Sequence, residues 1–351
     1  MCKDDRETMM DVHRKFQAAL SDTVDEWKKR DEVIGIFTYG SFVKGTATAN
    51  SDLDLVIIWE GEEAPARLMA EHMGVNIDMD FITPAKIEEI FDDKEDHAFT
   101  VAGVISRLKG GRVEFDREGM LKTWLEKAST YSWPQSNMER IKDHAETKFK
   151  QADAHLSSDD VVSAVHETRR GIFDLARLVL MKNNLFNIIK PSEVLSDVRM
   201  LDPMTYQLIL RTFRLKGLDE GEMLAILEDV QKWLEKAVDR FEKSVDIAPD
   251  SPVGAHLSQA QRHYYGSQTL TINGEFELAI LEMRRSLAMI GTALLALQGN
   301  PVETGGSLMA KIRECEPVFY EEVMLKYGAF DLLPAGVQRG IGEARFIAQR
   351  L

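Results

Sequence analysis

Hydrophobic positions follow two regimes along this chain. Up to about residue 120, short apolar runs alternate with turn residues; beyond it, apolar residues recur at helical spacing almost without a break. A leading amphipathic helix is predicted from Asp5 to Arg30, with Met9, Val12, Phe16, Leu20, Val24 and Trp27 on one face. Val33–Tyr39 and Asp52–Trp59 read as strands, Glu62–Met73 as a helix, and Ile77–Ile82 as a third strand. Thr83-Pro84 pairs an N-cap residue with proline at the first helical position, opening a helix to Phe91. A helix over His97–Leu108 then leads through Gly110-Gly111 to a short strand, Arg112–Phe115, that ends at Asp116. The expected fold is α+β: a mixed sheet with helices over residues 1–125, followed by an all-α region.

The helical region repeats itself. Ala164-Val165-His166-Glu167-Thr168-Arg169-Arg170 matches Ala279-Ile280-Leu281-Glu282-Met283-Arg284-Arg285 at a constant offset (279 − 164 and 285 − 170 both give 115). Both segments run into a long apolar helix that stops at Asn183-Asn184 or Gly299-Asn300. Two copies of one helical bundle are expected, over 126–250 and 251–351.

The candidate chemistry sits in the first region. Gly40-Ser41-Phe42-Val43-Lys44-Gly45 is a glycine-serine turn whose backbone N–H groups and hydroxyl suit phosphate oxygens. Ser51-Asp52-Leu53-Asp54 then sets two carboxylates one residue apart at the head of an apolar strand. Alternation points both to one face, where they can share a hard cation. In Asn76–Pro84, Ile77, Met79 and Phe81 take one face and Asp78, Asp80 and Ile82 the other, which brings a further carboxylate to the cluster.

This pattern of Gly-Ser, three residues, Gly, then Ser-Asp-x-Asp before a strand resembles the signature of the DNA polymerase β superfamily of nucleotidyltransferases. The resemblance implies a polymerase β-like palm that binds ATP with two Mg²⁺ ions. Asp52, Asp54 and Asp80 would be the metal carboxylates, and Gly40, Ser41 and Lys44 would hold the triphosphate. Asp80-Phe81-Ile82-Thr83-Pro84 is similar to a step of the minimal nucleotidyltransferases and favours Asp80 as the third carboxylate. The spacing in antibiotic adenylyltransferases favours Asp78 instead, which is otherwise a candidate general base.

The first helical copy resembles the helical domain of streptomycin/spectinomycin-type aminoglycoside adenylyltransferases, through Glu167, Leu175-Ala176-Arg177 and Lys190 in that order. That resemblance implies that Glu167 faces the acceptor and that Arg177 and Lys190 bind the triphosphate. The second copy carries Thr292 and Gly305 at the matching positions, so no nucleotide chemistry is expected there. The bundles also resemble the HEPN domains that accompany minimal nucleotidyltransferases. The Arg-x(4–6)-His ribonuclease motif is absent, because no histidine follows either arginine pair at that spacing.

Composition narrows the partners. A formal net charge of −15 weighs against an extended nucleic-acid surface and is compatible with a small, cationic, hydroxylated acceptor such as an aminoglycoside. No run reaches the roughly 18 apolar residues of a membrane span. With a polar start and only Cys2 and Cys315, a cytoplasmic setting without disulfides is expected. A homodimer through the helical region is a further expectation. The resemblance thus implies an adenylyltransferase acting on a small molecule; the alternative is a protein-AMPylating or antitoxin-like regulator with the bundles as its partner surface.

Overall fold

A computed structural model describes residues 3–48, 51–61, 64–65, 67–244, 251–300 and 306–351, without the side chains of 3–11 and 306–307. Cys2, Gly305 and the side chain of Met9 lie outside the described residues. The chain divides into two compact units, residues 1–137 and 138–351.

In the first unit, α1 (Lys3–Trp27) precedes β1 (Val33–Tyr39), the one-turn α2 (Ser41–Lys44) and β2 (Leu53–Trp59). A hairpin of β3 (Leu68–His72) and β4 (Val75–Ile82) follows, then α3 (Pro84–Phe91), α4 (Ala98–Lys109), β5 (Arg112–Asp116) and α5 (Met120–Thr130). Among the described residues the strands form one mixed sheet in the order β3-β4-β2-β1-β5. β2 and β4 run parallel; the other neighbours are antiparallel. Alternation divides the sheet's faces as expected. Leu53, Leu55, Ile57, Ile77 and Met79 pack with Phe16, Leu20 and Val24 of α1. The opposite face carries Val56 and Phe37, which line a cleft together with Ile87 of α3 and Leu108 of α4. Thr83 caps α3, accepting from the Lys86 N–H at 3.3 Å with Pro84 at the first helical position.

The predicted helix over Glu62–Met73 is not formed: Leu68–His72 is the edge strand β3, while Glu62, Glu63 and Ala66 lie outside the described residues. Leu-Met-Ala-Glu are strong helix formers, but tertiary pairing overrides that preference. His72 pairs with Val75 across a two-residue turn, Met73-Gly74, in which both residues have positive φ (53° and 67°). Turns of that kind match the twist of a hairpin and favour glycine.

The second unit comprises α6 (Gln135–Ser157), which begins at the boundary, then α7 (Val161–Lys182), α8 (Pro191–Leu201), α9 (Pro203–Phe213) and α10 (Glu220–Glu242). α11 (Pro252–Ile272), α12 (Phe276–Leu297) and α13 (Gly306–Cys315) follow. After them come α14 (Pro317–Phe319), a π-helical turn (Tyr320–Leu325), α15 (Lys326–Gly328) and α16 (Pro334–Arg350). α7 and α12 are offset by 115 residues at both ends (276 − 161 and 297 − 182) and are buried around most of their circumference, as central helices of a bundle are. The left-handed positions that end helices repeat at the same step: Asp159 and Gly274, Asn184 and Gly299, Arg214 and Ala329.

The two repeats interlock through Arg169 and Arg284, which correspond at that step. Arg169 donates to the carbonyl of Thr212 at 3.0 Å, and to those of Gly328 and Ala329, both at 2.6 Å. Arg284 donates to the matching carbonyls, Tyr327 at 2.9 Å, Phe213, and Arg214 at 3.5 Å. Each guanidinium thus meets the carbonyl-rich C-terminal end of a helix in both repeats, where the helix dipole favours a cation. Among the described residues no helix is long and apolar enough to cross a membrane.

Candidate active site

The site is built where β1 ends and β2 begins. Tyr39, the last residue of β1, pairs with Asp54 of β2. Gly40 follows with φ 80° and ψ −152°, a conformation essentially reserved for glycine. A Cβ there would lie 2.2 Å from Asp54 Oδ2, so the turn and the carboxylate fit together only because position 40 has no side chain. α2 then carries Ser41 and exposed Lys44, and closes on Gly45 in the left-handed region, whose N–H reaches the Phe42 carbonyl at 3.2 Å. Asp52 lies one residue ahead of β2 and is exposed.

The parallel register of β2 and β4 sets Asp54 beside Asp78 and Val56 beside Asp80. Asp54, Asp78 and Asp80 therefore share the face opposite α1, as the alternation required. Their environments differ. Asp78 is only 6% exposed and takes Arg67 in a two-pronged ion pair, Nε at 2.5 Å and Nη2 on the other oxygen. Asp80 accepts Arg107 Nη2 at 2.7 Å, with Arg67 Nε 3.7 Å away. Asp80 also lines a cleft of about 260 Å³ together with Val56, Ile82, Lys86, Thr100 and Arg107.

Tyr39 sits among these charges, with the Arg107 guanidinium over its ring at 5.2 Å from the centroid. Burial pushes its phenol up to about 12; Arg107 opposes that, and Asp54 and Asp80 add to it by disfavouring a nearby phenolate. Arg67 and Arg107 belong to no motif in the sequence, and Tyr39 stands out there only as the end of a strand. Only the hairpin pairing and the packing of α4 bring the two arginines to the aspartates. As they stand, no three acidic, histidine or cysteine side chains among the described residues are gathered closely enough to hold a metal ion. The arginines supply the positive charge at Asp78 and Asp80 instead. The donor set is nonetheless hard oxygen, which suits Mg²⁺, and the Asp54 carboxylate lies in the space left by the missing Cβ of Gly40.

Glu167, Arg177 and Lys190 belong to the second unit. Glu167 is buried, with Arg170 Nη1 at 3.3 Å and Lys148 Nζ at 4.0 Å. Arg177 donates to Asp174 at 2.6 Å and to the Ile188 carbonyl at 3.1 Å. The side chain of Lys190 is 72% exposed and lies 3.4 Å from Glu193. Thr292, the counterpart of Arg177, bonds its own helix at the Ala288 carbonyl.

Comparison with known proteins bears on the first unit. Residues 20–108 match the family described as a nucleotidyltransferase domain, a span that contains the glycine-serine turn, Asp52, Asp54, Asp78, Asp80, Arg67 and Arg107. Among solved structures, a nucleotidyltransferase-like protein from Exiguobacterium sibiricum is similar at 11% identity and a TM-score of 0.40, over 89% of this chain and 91% of that one. No curated protein matches the chain.

Proposed function

We propose that the nucleotidyltransferase domain of the polymerase β-like superfamily formed by residues 20–108 moves a nucleoside monophosphate, AMP from ATP, onto a hydroxyl of a small acceptor. The observation that carries this reading is the fit of Gly40 against Asp54, which makes the phosphate-binding turn and the acidic strand one object. Asp52, Asp54 and Asp80 would hold Mg²⁺, two ions in this reading, whose charge offsets that of the triphosphate and acidifies the attacking hydroxyl. Gly40, Ser41 and Lys44 would hold the terminal phosphates.

The acceptor oxygen bonds to the α-phosphorus as the bond to the bridging oxygen breaks; pyrophosphate leaves and the hydroxyl proton passes to a carboxylate. Asp80 suits the third metal position better than Asp78, because it lines the cleft whereas Asp78 is sealed under Arg67. Arg107 then has to leave Asp80 when metal and nucleotide arrive. The resemblance would give Glu167 to the acceptor and Arg177 and Lys190 to the phosphates; within the second unit Glu167 meets Arg170 and Arg177 meets Asp174. The net charge of −15 favours a cationic acceptor of the aminoglycoside kind.

The test is pyrophosphate release from each nucleoside triphosphate with Mg²⁺, against a panel of aminoglycosides and other polyhydroxylated amines. Release that depends on one acceptor supports the reading and names its substrate; release from none of them in the presence of every triphosphate refutes it.

A further inference from the structure

Asp78 and Asp80 share one face of β4 and each meets an arginine, yet the two ion pairs are built differently. Arg67 grips Asp78 with both prongs of its fork, Nε on one carboxylate oxygen at 2.5 Å and Nη2 on the other. Asp78 is buried, so removing its partner would leave a charge sealed from water. That pair belongs to the fold. Arg107, in the last turn of α4, meets Asp80 through Nη2 in a single 2.7 Å ion pair, at the edge of the cleft that both residues line.

Sheet register shows what else Arg107 stands next to. Tyr39, Asp54 and Asp78 form the rung of the sheet nearest the glycine-serine turn. Phe37, Val56 and Asp80 form the rung two residues further on, about 7 Å away at the rise of a strand. The Arg107 guanidinium bridges the two rungs: it lies over the Tyr39 ring, 5.2 Å from the centroid, while it holds Asp80. Gly40 follows Tyr39 directly and opens the turn. A guanidinium held on an aromatic face keeps its N–H edge for an anion, whether carboxylate or phosphate. On Asp80 it occupies Oδ2, with Arg67 Nε 3.7 Å from Oδ1, so a further cation at this carboxylate would meet charge of its own sign.

The geometry points to Arg107 as an exchangeable counter-ion. It guards Asp80 while the turn is empty, and crosses the Tyr39 ring to the phosphates of a nucleoside triphosphate when the turn is filled. Arg107 is thereby a phosphate-binding residue that couples the triphosphate to the divalent cation, since its departure frees the Asp80 oxygens. Arg67 stays with Asp78 throughout. The inference deepens the transfer reading above and rests on it, with Asp80 as the third carboxylate. It makes the two ligands respond to loss of this guanidinium in opposite directions: the cation gains a free carboxylate, and the triphosphate loses a donor fork.

The experiment titrates the two ligands separately into the full chain by calorimetry: Mn²⁺ without nucleotide, and α,β-methylene-ATP, which cannot release pyrophosphate, in EDTA. Arg107→Gln should bind Mn²⁺ about tenfold more tightly than wild type and the nucleotide about tenfold more weakly. Arg107→Lys, which keeps the charge but not the planar fork, should return Mn²⁺ binding toward wild type and recover only part of the nucleotide affinity. A merely structural loss would weaken both ligands together, so weakening of both in Arg107→Gln overturns the proposal. Unchanged affinities in Arg107→Gln overturn it as well. Failure of wild type to bind the nucleotide, with or without Mn²⁺, would instead refute the transfer reading itself, and the proposal with it.

Discussion

Replacing Gly40 by alanine separates the two things that this position does. Its backbone, at φ 80° and ψ −152°, is one that a residue with a Cβ adopts at a cost of about 1–3 kcal/mol. The added methyl would also lie 2.2 Å from Asp54 Oδ2, where contacts below 3.0 Å are essentially never seen, so that oxygen must retreat by at least 0.8 Å (3.0 − 2.2). A displacement near 1 Å of a group that positions the reacting atoms costs on the order of 100-fold in rate. G40A should therefore lower the melting temperature of the first unit by about 3–10 °C and nucleotidyl transfer by about 100-fold.

Gly45→Ala is the control. Its φ of 71° is equally left-handed, but a Cβ there meets nothing within 4 Å. G45A should cost about 1–2 kcal/mol of stability and leave turnover within about threefold. Melting curves paired with pyrophosphate release read both effects. The reasoning fails if G40A turns over within tenfold of wild type, or if G45A loses as much activity as G40A.

Further outcomes follow from the same geometry. Asp80→Asn should abolish transfer with little loss of stability. Asp78→Asn should destabilise the first unit by about 1–3 kcal/mol, because it weakens the pair with Arg67; urea melts and turnover together would reverse these roles if Asp78 is the third metal carboxylate. Tyr39 is neutral in the folded protein up to about 12, above its ordinary value of 10, so the unfolded chain loses that proton first. Stability of the first unit should hold below pH 10 and fall between 10 and 12, and Y39F should make that fall shallower; an identical slope would contradict the burial of the phenol. Arg284→Met strips three carbonyls of their donor and should cost the second unit roughly 3 kcal/mol or more, read by denaturant unfolding. Arg177→Gln should raise KM for the nucleotide if Arg177 binds its phosphates, and an unchanged KM would remove it from the donor site.

Much of this architecture was legible in the residues, and the exceptions share a cause. β4 announces itself by alternation, while β1 and β2 read as short apolar runs because residues 33–38 and 55–58 are buried without a break. β3 does neither. It is an exposed edge strand written in helix-forming residues, and its only local signal is Gly74 standing between it and β4. Asp54, Asp78 and Asp80 were found because they sit on strands, and Asp52 because it stands two residues before Asp54 in the Ser-Asp-x-Asp pattern. Arg67 and Arg107 were missed because an ion pair such as Arg67 to Asp78, 11 residues apart, follows from strand pairing and not from any motif. The duplication was visible as side-chain identity at a fixed step. The exchange of Arg169 and Arg284 between repeats was not, because backbone carbonyl acceptors leave no mark on a sequence.

The central claim is that Asp52 and Asp54 serve transfer of a nucleotidyl group, and the fate of two labels tests it most directly. ATP labelled at the α- or the γ-phosphate is incubated with Mg²⁺, acceptor and either wild type or the D52N/D54N variant. The account predicts that α-label moves to the acceptor, that γ-label leaves as pyrophosphate, and that both transfers vanish in the folded variant. γ-Label found on the acceptor or as orthophosphate, or α-label still transferred by D52N/D54N, would contradict it.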